Sequence, residues 1–272
     1  MLSQLKQKYQ MMRARNITKS SDYRRQLSEI PNAVFLHWQK NAMKEFPGIP
    51  RDAIFFARAA EGLMMFFEYV SHSKQSCALP SKAADSVWHA WYAWSSANLD
   101  NFCLKHYKRC IPHIEAAQMA GAMDAALASC LITAQKAEGK DPGSATVPRL
   151  FALDSKLRMP DGYAYFARVS RIGFQNMDSR GVATGKSTYP ESFDAAQLLA
   201  AGLITALIYE EMMAKQAKAA TAGASCGGSS CGSSGDSSGG DSGGCDGGGS
   251  SCGSSCGGGC GGGGCGGGGC GS

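Results

Sequence analysis

Apolar residues in the first 221 positions recur mainly at spacings of three and four, the period of an amphipathic helix, and then all but disappear. From Asp52 to His72 the polar side chains are confined mainly to Arg58, Glu61, Glu68 and His72, while Phe55, Phe56, Leu63, Met64, Phe66, Phe67 and Val70 fill the rest. A helix that is apolar around most of its circumference is buried on most sides, so this segment is the expected central element. Around it the pattern predicts a basic helix over residues 2–16 and a second over 21–46 that Pro31 breaks or kinks. Two more follow over 81–94 and 97–110, the latter stopped by Ile111-Pro112, because a residue before proline resists helical dihedrals.

An alanine-rich helix over 115–137 carries Met119, Met123, Leu127, Leu131 and Ala134 along one stripe. Beyond it come a loop at Lys140-Asp-Pro-Gly-Ser, a short helical piece to Arg158, and a Pro160-Asp-Gly turn. Tyr163 to Phe174 fits neither period cleanly and is assigned to helix because its surroundings are helical. Thr188-Tyr-Pro-Glu191 has the form of a capping box with proline in the first turn and opens a last helix running to Ala217. The predicted fold class is all-α: an irregular multi-helix domain over 1–221, followed by a disordered Gly/Ser/Cys-rich tail over 222–272.

Composition separates those two parts. The tail is almost wholly Gly, Ser, Cys and Asp and offers nothing to bury, so it is expected to stay a low-complexity coil. Eight of the twelve cysteines lie there, at Cys226, Cys231, Cys245, Cys252, Cys256, Cys260, Cys265 and Cys270. Their spacing matches neither zinc-finger nor ferredoxin patterns, and no histidine is near. Loose binding of soft metals, thiol crosslinking and post-translational modification are the chemistries open to such thiols.

The formal charge is +5, and the tail contributes only Asp236, Asp241 and Asp246 to it. Positive charge is densest at Lys6, Lys8, Arg13, Arg15, Lys19, Arg24 and Arg25, opposed by Asp22 alone, a pattern suited to acidic lipid, nucleic acid or a receptor, or to a solvated helix face. No apolar run follows the opening basic residues, so a secretory leader is not expected. The longest apolar run, Ala195 to Tyr209, is about 15 residues between Asp194 and Glu210, which suits a core helix better than a membrane span. A cytoplasmic location is the default expectation.

The chemically richest stretch is Cys103-x2-His106-x3-Cys110-x2-His113, with His89 upstream. On a straight helix its ends lie ~15 Å apart, too far for one ion, although pairs one turn apart share a face. If Ser95-Ser96 is a tight turn between antiparallel helices, His89 comes opposite Phe102 and Cys103; if the helix is continuous, the site disappears. Asp85 precedes His89 by four residues and could hold one imidazole nitrogen. The candidate metal site is therefore His89, Cys103, His106 and His113, with Asp85 behind it and zinc or copper as the ion, set against a reading in which these side chains only pack. A thiol triad of Cys103, His89 and Asp85 would need an exposed, low-pKa Cys103, whereas Phe102 and Leu104 predict burial.

Asp85, Trp88, His89, Phe102, Cys103 and Pro112-His113 resemble the Asp-x-x-Trp-His-x-His, Phe-Cys and later histidine of the glycine-rich domain-containing protein-like family, over about residues 30–115. A glycine-rich C-terminus is also typical of that family. Trp91 stands where the motif has its second histidine, so a family metal site would lack one ligand here. The resemblance implies a helical domain. Gly181-Val-Ala-Thr-Gly185-Lys186-Ser187 fails the phosphate-loop pattern, which needs four residues between the glycines and a preceding strand.

With no complete catalytic set, the expected function is a helical binding or scaffold module with a thiol-rich flexible tail and a protein or soft-metal partner; nucleic acid is not expected. Two alternatives stand beside it. One is a metal-handling protein using the tail cysteines and the His/Cys cluster, and the other a precursor whose tail cysteines are modified.

Overall fold

The computed structural model describes residues 2–111, 122–168 and 171–223, all within the first of the chain's two units, residues 1–227. The predicted tail beyond Gly223 lies outside the described residues, as does the segment 112–121. Helix α1 spans Leu2–Ser20, α2 Arg24–Glu29, α3 Asn32–Glu45, α4 Ala53–His72 and α5 Lys82–Tyr107. These are followed by α6, Met123–Ala137, and a short α7, Leu153–Leu157.

α4 is the central element that its composition predicts. Asp52 starts it by accepting hydrogen bonds from the Ile54 and Phe55 amides at 2.9 and 3.0 Å, an N-cap worth about 1 kcal/mol. Twelve of its residues are buried, among them Phe55, Leu63, Met64, Phe66, Phe67 and Tyr69, and it packs against α1, α2, α5, α6 and α7. Pro31 splits the expected second helix: its fixed extended backbone (φ −60°, ψ 137°) ends α2 and begins α3. Trp38 of α3 is fully buried, stacks on Phe55 and donates its Nε1–H to Ser86 Oγ at 3.0 Å, tying α3 to α4 and α5.

α6 keeps the predicted stripe where it is described, with Leu131 and Ala134 buried, but it is buried on other sides too. Gln135, fully buried, holds the following loop: its Nε2 donates to the carbonyls of Ser144 and Thr146 at 2.8 and 3.1 Å, and its Oε1 accepts from the Gly143 amide at 2.7 Å. Both N–H donors and the oxygen of that amide are engaged by backbone, which is why it tolerates the core.

The all-α expectation fails at residues 163–188. Tyr163–Arg168 (β1), Arg171–Met177 (β2) and Ala183–Thr188 (β3) form a three-stranded antiparallel sheet in the order β1-β2-β3. β1 and β2 pair from Tyr163 opposite Asn176 to Arg168 opposite Arg171, and an irregularity between Phe174 and Asn176 shifts the β2–β3 register. Tyr163 and Tyr165 pack with Phe174 on one face, where Phe151 also meets Tyr165, while Phe166 meets Tyr189 on the other. Both faces of β1 thus carry aromatics, and β3 is exposed at every position, so neither strand shows an apolar–polar alternation. Gly181, at φ +71°, makes the β2–β3 turn: an added Cβ would come within 2.2 Å of the Arg158 carbonyl oxygen.

The single last helix is also corrected. Thr188 ends β3, Glu191–Phe193 is a 3-10 turn, and two helices follow, α8 (Ala195–Ala200) and α9 (Ala206–Gly223). Gly202, at φ +68°, lies in the bend between them, and Leu207, inside the apolar run, is 67% exposed.

Asp154 joins the helical and sheet parts. Its carboxylate is fully buried and accepts from Ser81 Oγ (2.6 Å), the Lys82 and Ala83 amides (both 3.0 Å) and the Tyr163 amide (3.1 Å). One side chain therefore caps the start of α5 and fixes the first residue of β1.

Candidate functional site

α5 is not straight. Ser95 has extended backbone (φ −166°, ψ 101°), and its Oγ accepts from the Asn98 amide at 3.2 Å, capping the second arm. The arms double back: the Trp91 and Phe102 rings are 4.7 Å apart, and Trp91 Nε1 donates to Asn98 Oδ1 at 2.9 Å. In an unbroken helix residues 91 and 102 would lie ~16 Å apart along the axis. The turn expected at Ser95-Ser96 is therefore present.

Among the described candidate ligands, His89, Cys103 and His106, no three side chains come together with one another or with a further His, Cys, Asp or Glu as a metal site would need. His89 lies on the first arm with Nδ1 2.6 Å from Glu45 Oε2 and Nε2 3.5 Å from Asp85 Oδ2, its ring edge-on to Phe46. The expected Asp85–His89 pairing exists, but Glu45 at the end of α3 takes the other nitrogen, a contact that no local spacing announces. His106 on the second arm places Nε2 2.8 Å from Glu29 Oε2, which also binds Lys105 Nζ at 2.6 Å. Lys105 first and His106 second hold the Glu29 carboxyl below its ordinary range.

Cys103 is 1% exposed, and burial pushes its thiol up to about 12, the opposite of what a catalytic nucleophile needs. His113 lies outside the described residues. Among the described residues no group of three His, Cys, Asp or Glu side chains converges as a metal site would require. Trp88, Phe102 and Cys103 are core residues, with Trp88 packed on Phe66 and Phe67. The Gly181–Ser187 segment forms a turn and an exposed strand, in keeping with its failure as a phosphate loop.

Two features stand outside the predicted site. The first is a thiol cluster where the connection from α4 to α5 meets α6. Cys77 Sγ lies 3.6 Å from Ser129 Oγ, Ser129 Oγ is 3.1 Å from Ser73 Oγ, and the side chain of buried Cys130 is a hydrogen-bonding neighbour of Cys77. That Cys130 contact, with further help from Ser73, Ser129 and the charge of Arg109, outweighs burial and lowers the Cys77 thiol to about 6. Burial drives the Cys130 thiol far upward. Cys77 and Cys130 are 53 positions apart, so no sequence motif joins them.

The second is the outer face of α1. Gln10, Met11, Ala14, Ile17 and Thr18 are its partly or fully buried residues, and the helix packs on α4 and α2. Leu5, Tyr9 and Met12 are 59%, 53% and 54% exposed. At 3.6 residues per turn they form a stripe about 170° round the helix from the packed face. Exposed Lys8, Arg15 and Lys19 border the stripe on one side and Lys6 and Arg13 on the other, with the Arg13 guanidinium 5.9 Å from the Tyr9 ring centre. α1 contains no Asp or Glu. Among the described residues no helix is long and apolar enough to cross a membrane.

No curated protein and no solved structure matches the chain. Residues 38–185, which run from Trp38 through α4, the α5 hairpin, Asp154 and β1–β2 into β3, match the UCP032817-like family, whose function is uncharacterised. Covering more than half of the 272 residues, that match makes the chain a member of the UCP032817-like family.

Proposed function

We propose that the chain is a helical binding module that docks through the outer stripe of α1 onto an anionic phospholipid surface and carries its thiol-rich tail there. The observation behind this reading is the arrangement of α1: three exposed apolar side chains in line, flanked on both sides by cations, opposite the face that packs on the domain. An interfacial helix needs this layout, with its apolar stripe at the acyl boundary and its Lys and Arg side chains reaching the headgroups. Burying the exposed halves of Leu5, Tyr9 and Met12 is worth ~1 kcal/mol each, and each cation near an anionic leaflet ~1 kcal/mol.

Of the motif side chains described, Trp88, Phe102 and Cys103 serve the packing of the hairpin. The test is sedimentation of the full chain with phosphatidylserine-containing vesicles against pure phosphatidylcholine vesicles. Binding to the anionic vesicles alone, weakened at least tenfold by combined Leu5→Gln, Tyr9→Gln and Met12→Gln at unchanged melting temperature, is the expected result. Equal retention of the triple variant, or binding only to an acidic polypeptide or RNA competitor, refutes the proposal.

A further inference from the structure

We infer that Cys77 and Cys130 form a redox-active thiol pair that closes into a reversible disulfide when a hydroperoxide oxidises Cys77. The placement comes from backbone and side chains together. Ala78 donates its amide to the Ala126 carbonyl at 3.1 Å, pinning the α4–α5 connection alongside α6 one turn before Cys130. Cys77 Sγ then sits among Ser129 Oγ at 3.6 Å, the Gln75 carbonyl at 3.9 Å and the Cys130 side chain. Cys77 is partly exposed, whereas Cys130 is fully buried.

Those surroundings divide the roles. Cys77, lowered to about 6, is a thiolate at neutral pH that solvent can reach, and Cys130 beside it stays protonated in the core. This is the asymmetry of an attacking and a resolving cysteine. Cys103 has the reverse character, buried and pushed up to about 12.

In the first step the Cys77 thiolate attacks the distal oxygen of the hydroperoxide. An S–O bond forms, the O–O bond breaks, and the departing alkoxide takes a proton from solvent to leave as alcohol. Cys77 sulfur is oxidised by two electrons and the hydroperoxide reduced by two. In the second step Cys130 sulfur attacks the sulfenic sulfur, an S–S bond forms, the S–O bond breaks, and the hydroxide leaves as water with the Cys130 proton. Cys130 follows Ser129, whose hydroxyl already lies 3.6 Å from Cys77 Sγ, on the same helix, which puts the two cysteines side by side for an S–S bond of about 2 Å. A dithiol reductant reverses the closure by exchange.

The experiment treats the reduced full-length chain with stoichiometric hydrogen peroxide at pH 7, blocks remaining thiols with N-ethylmaleimide and maps peptides by mass spectrometry before and after dithiothreitol. The expected product is a Cys77–Cys130 crosslinked peptide pair that dithiothreitol dissolves, and in Cys130→Ser a Cys77 sulfenic acid captured by dimedone. Before oxidation, iodoacetamide should modify Cys77 about two- to three-fold faster than free cysteine at pH 7. The Cys77 thiolate fraction there is about 90% against about 3% for an ordinary thiol, offset by its lower intrinsic nucleophilicity. Its rate should level off above about pH 7. Absence of the Cys77–Cys130 crosslink in the unmutated chain, or pairing of Cys77 with another cysteine, overturns the inference.

Discussion

Replacing Asp154 by Asn tests whether one buried carboxylate holds the helical and sheet parts together. Oδ1 accepts from Ser81 Oγ and the Ala83 amide, and Oδ2 accepts from the Lys82 and Tyr163 amides. Asparagine keeps one acceptor oxygen but presents an NH2 group to the other two donors. Two buried backbone N–H groups are then left facing a donor, at about 1–3 kcal/mol each, partly offset because no charge is buried any longer. The expected loss is about 3 kcal/mol, a large part of a stability in the usual range of 5–15 kcal/mol.

Urea unfolding followed by circular dichroism reads it directly. With a slope of ~2–3 kcal/mol per molar, the midpoint should fall by about 1 M or slightly more at unchanged slope. Asp154→Ala should cost more, since all four donors lose their acceptor. Burial raises the Asp154 carboxyl above its ordinary range, against the pull of Ser81 and the three amides. A raised folded value means that the proton-linked part of its stabilisation is complete below about pH 3.9 and is lost as pH rises through the folded value. The gap between the unmutated chain and Asp154→Asn should therefore narrow with rising pH. An Asp154→Asn unfolding free energy within ~1 kcal/mol of the unmutated chain would show that the clamp is not needed.

Gly162→Ala should destabilise by about 1–3 kcal/mol in thermal melts, because the new Cβ would sit 2.9 Å from Asp154 Oδ2 and 3.0 Å from Met159 Cβ in a packed site. Ser95→Ala removes the hydroxyl that caps the second arm of α5 and should cost about 1 kcal/mol; Asn98→Ala, which strips the acceptor from the buried Trp91 N–H, should cost about 1–3 kcal/mol. Because the Cys77 thiol is depressed to about 6, its contribution to stability is present above the ordinary thiol range near 8.5 and is lost as pH falls through 6. Cys77→Ser should flatten denaturation midpoints between pH 6 and 8.5; an unchanged profile would contradict the lowered thiol.

The helical half of the fold was legible because periodicity and punctuation agreed there. α4 declared itself by apolar residues on nearly every side, Pro31 by its locked φ, and Ser95-Ser96 by a turn that the Trp91–Phe102 contact bears out. The sheet was not legible, for a reason of packing: Tyr165 and Phe166 point to opposite faces and both meet aromatics, so β1 has no solvent side to reveal its period. β3, built of Ala183-Thr-Gly-Lys-Ser-Thr188, is held by its backbone and buries nothing. At the candidate site the Asp85–His89 pairing followed from helical spacing, whereas Glu45 and Glu29, which occupy His89 and His106, arrive from other helices. Cys77 and Cys130 lie 53 positions apart with no spacing that joins them, whereas the histidines cluster round Cys103, the cysteine that the fold makes inert.

The outer edge of the sheet has a consequence for how copies of this chain behave in company. Among the described residues β3 pairs only with β2, so its other side offers a row of backbone donors and acceptors to any extended strand that arrives. Lys186 stands in the middle of that edge, and Gly185, at φ +85°, turns the backbone there out of the flat, regular path that stacking requires. An incoming strand thus meets a cation, a bent backbone and no apolar grip, so the edge stays open without becoming adhesive. A few β-branched apolar residues in place of Thr184, Gly185 and Lys186 would turn the same edge into a nucleus for chain-to-chain aggregation.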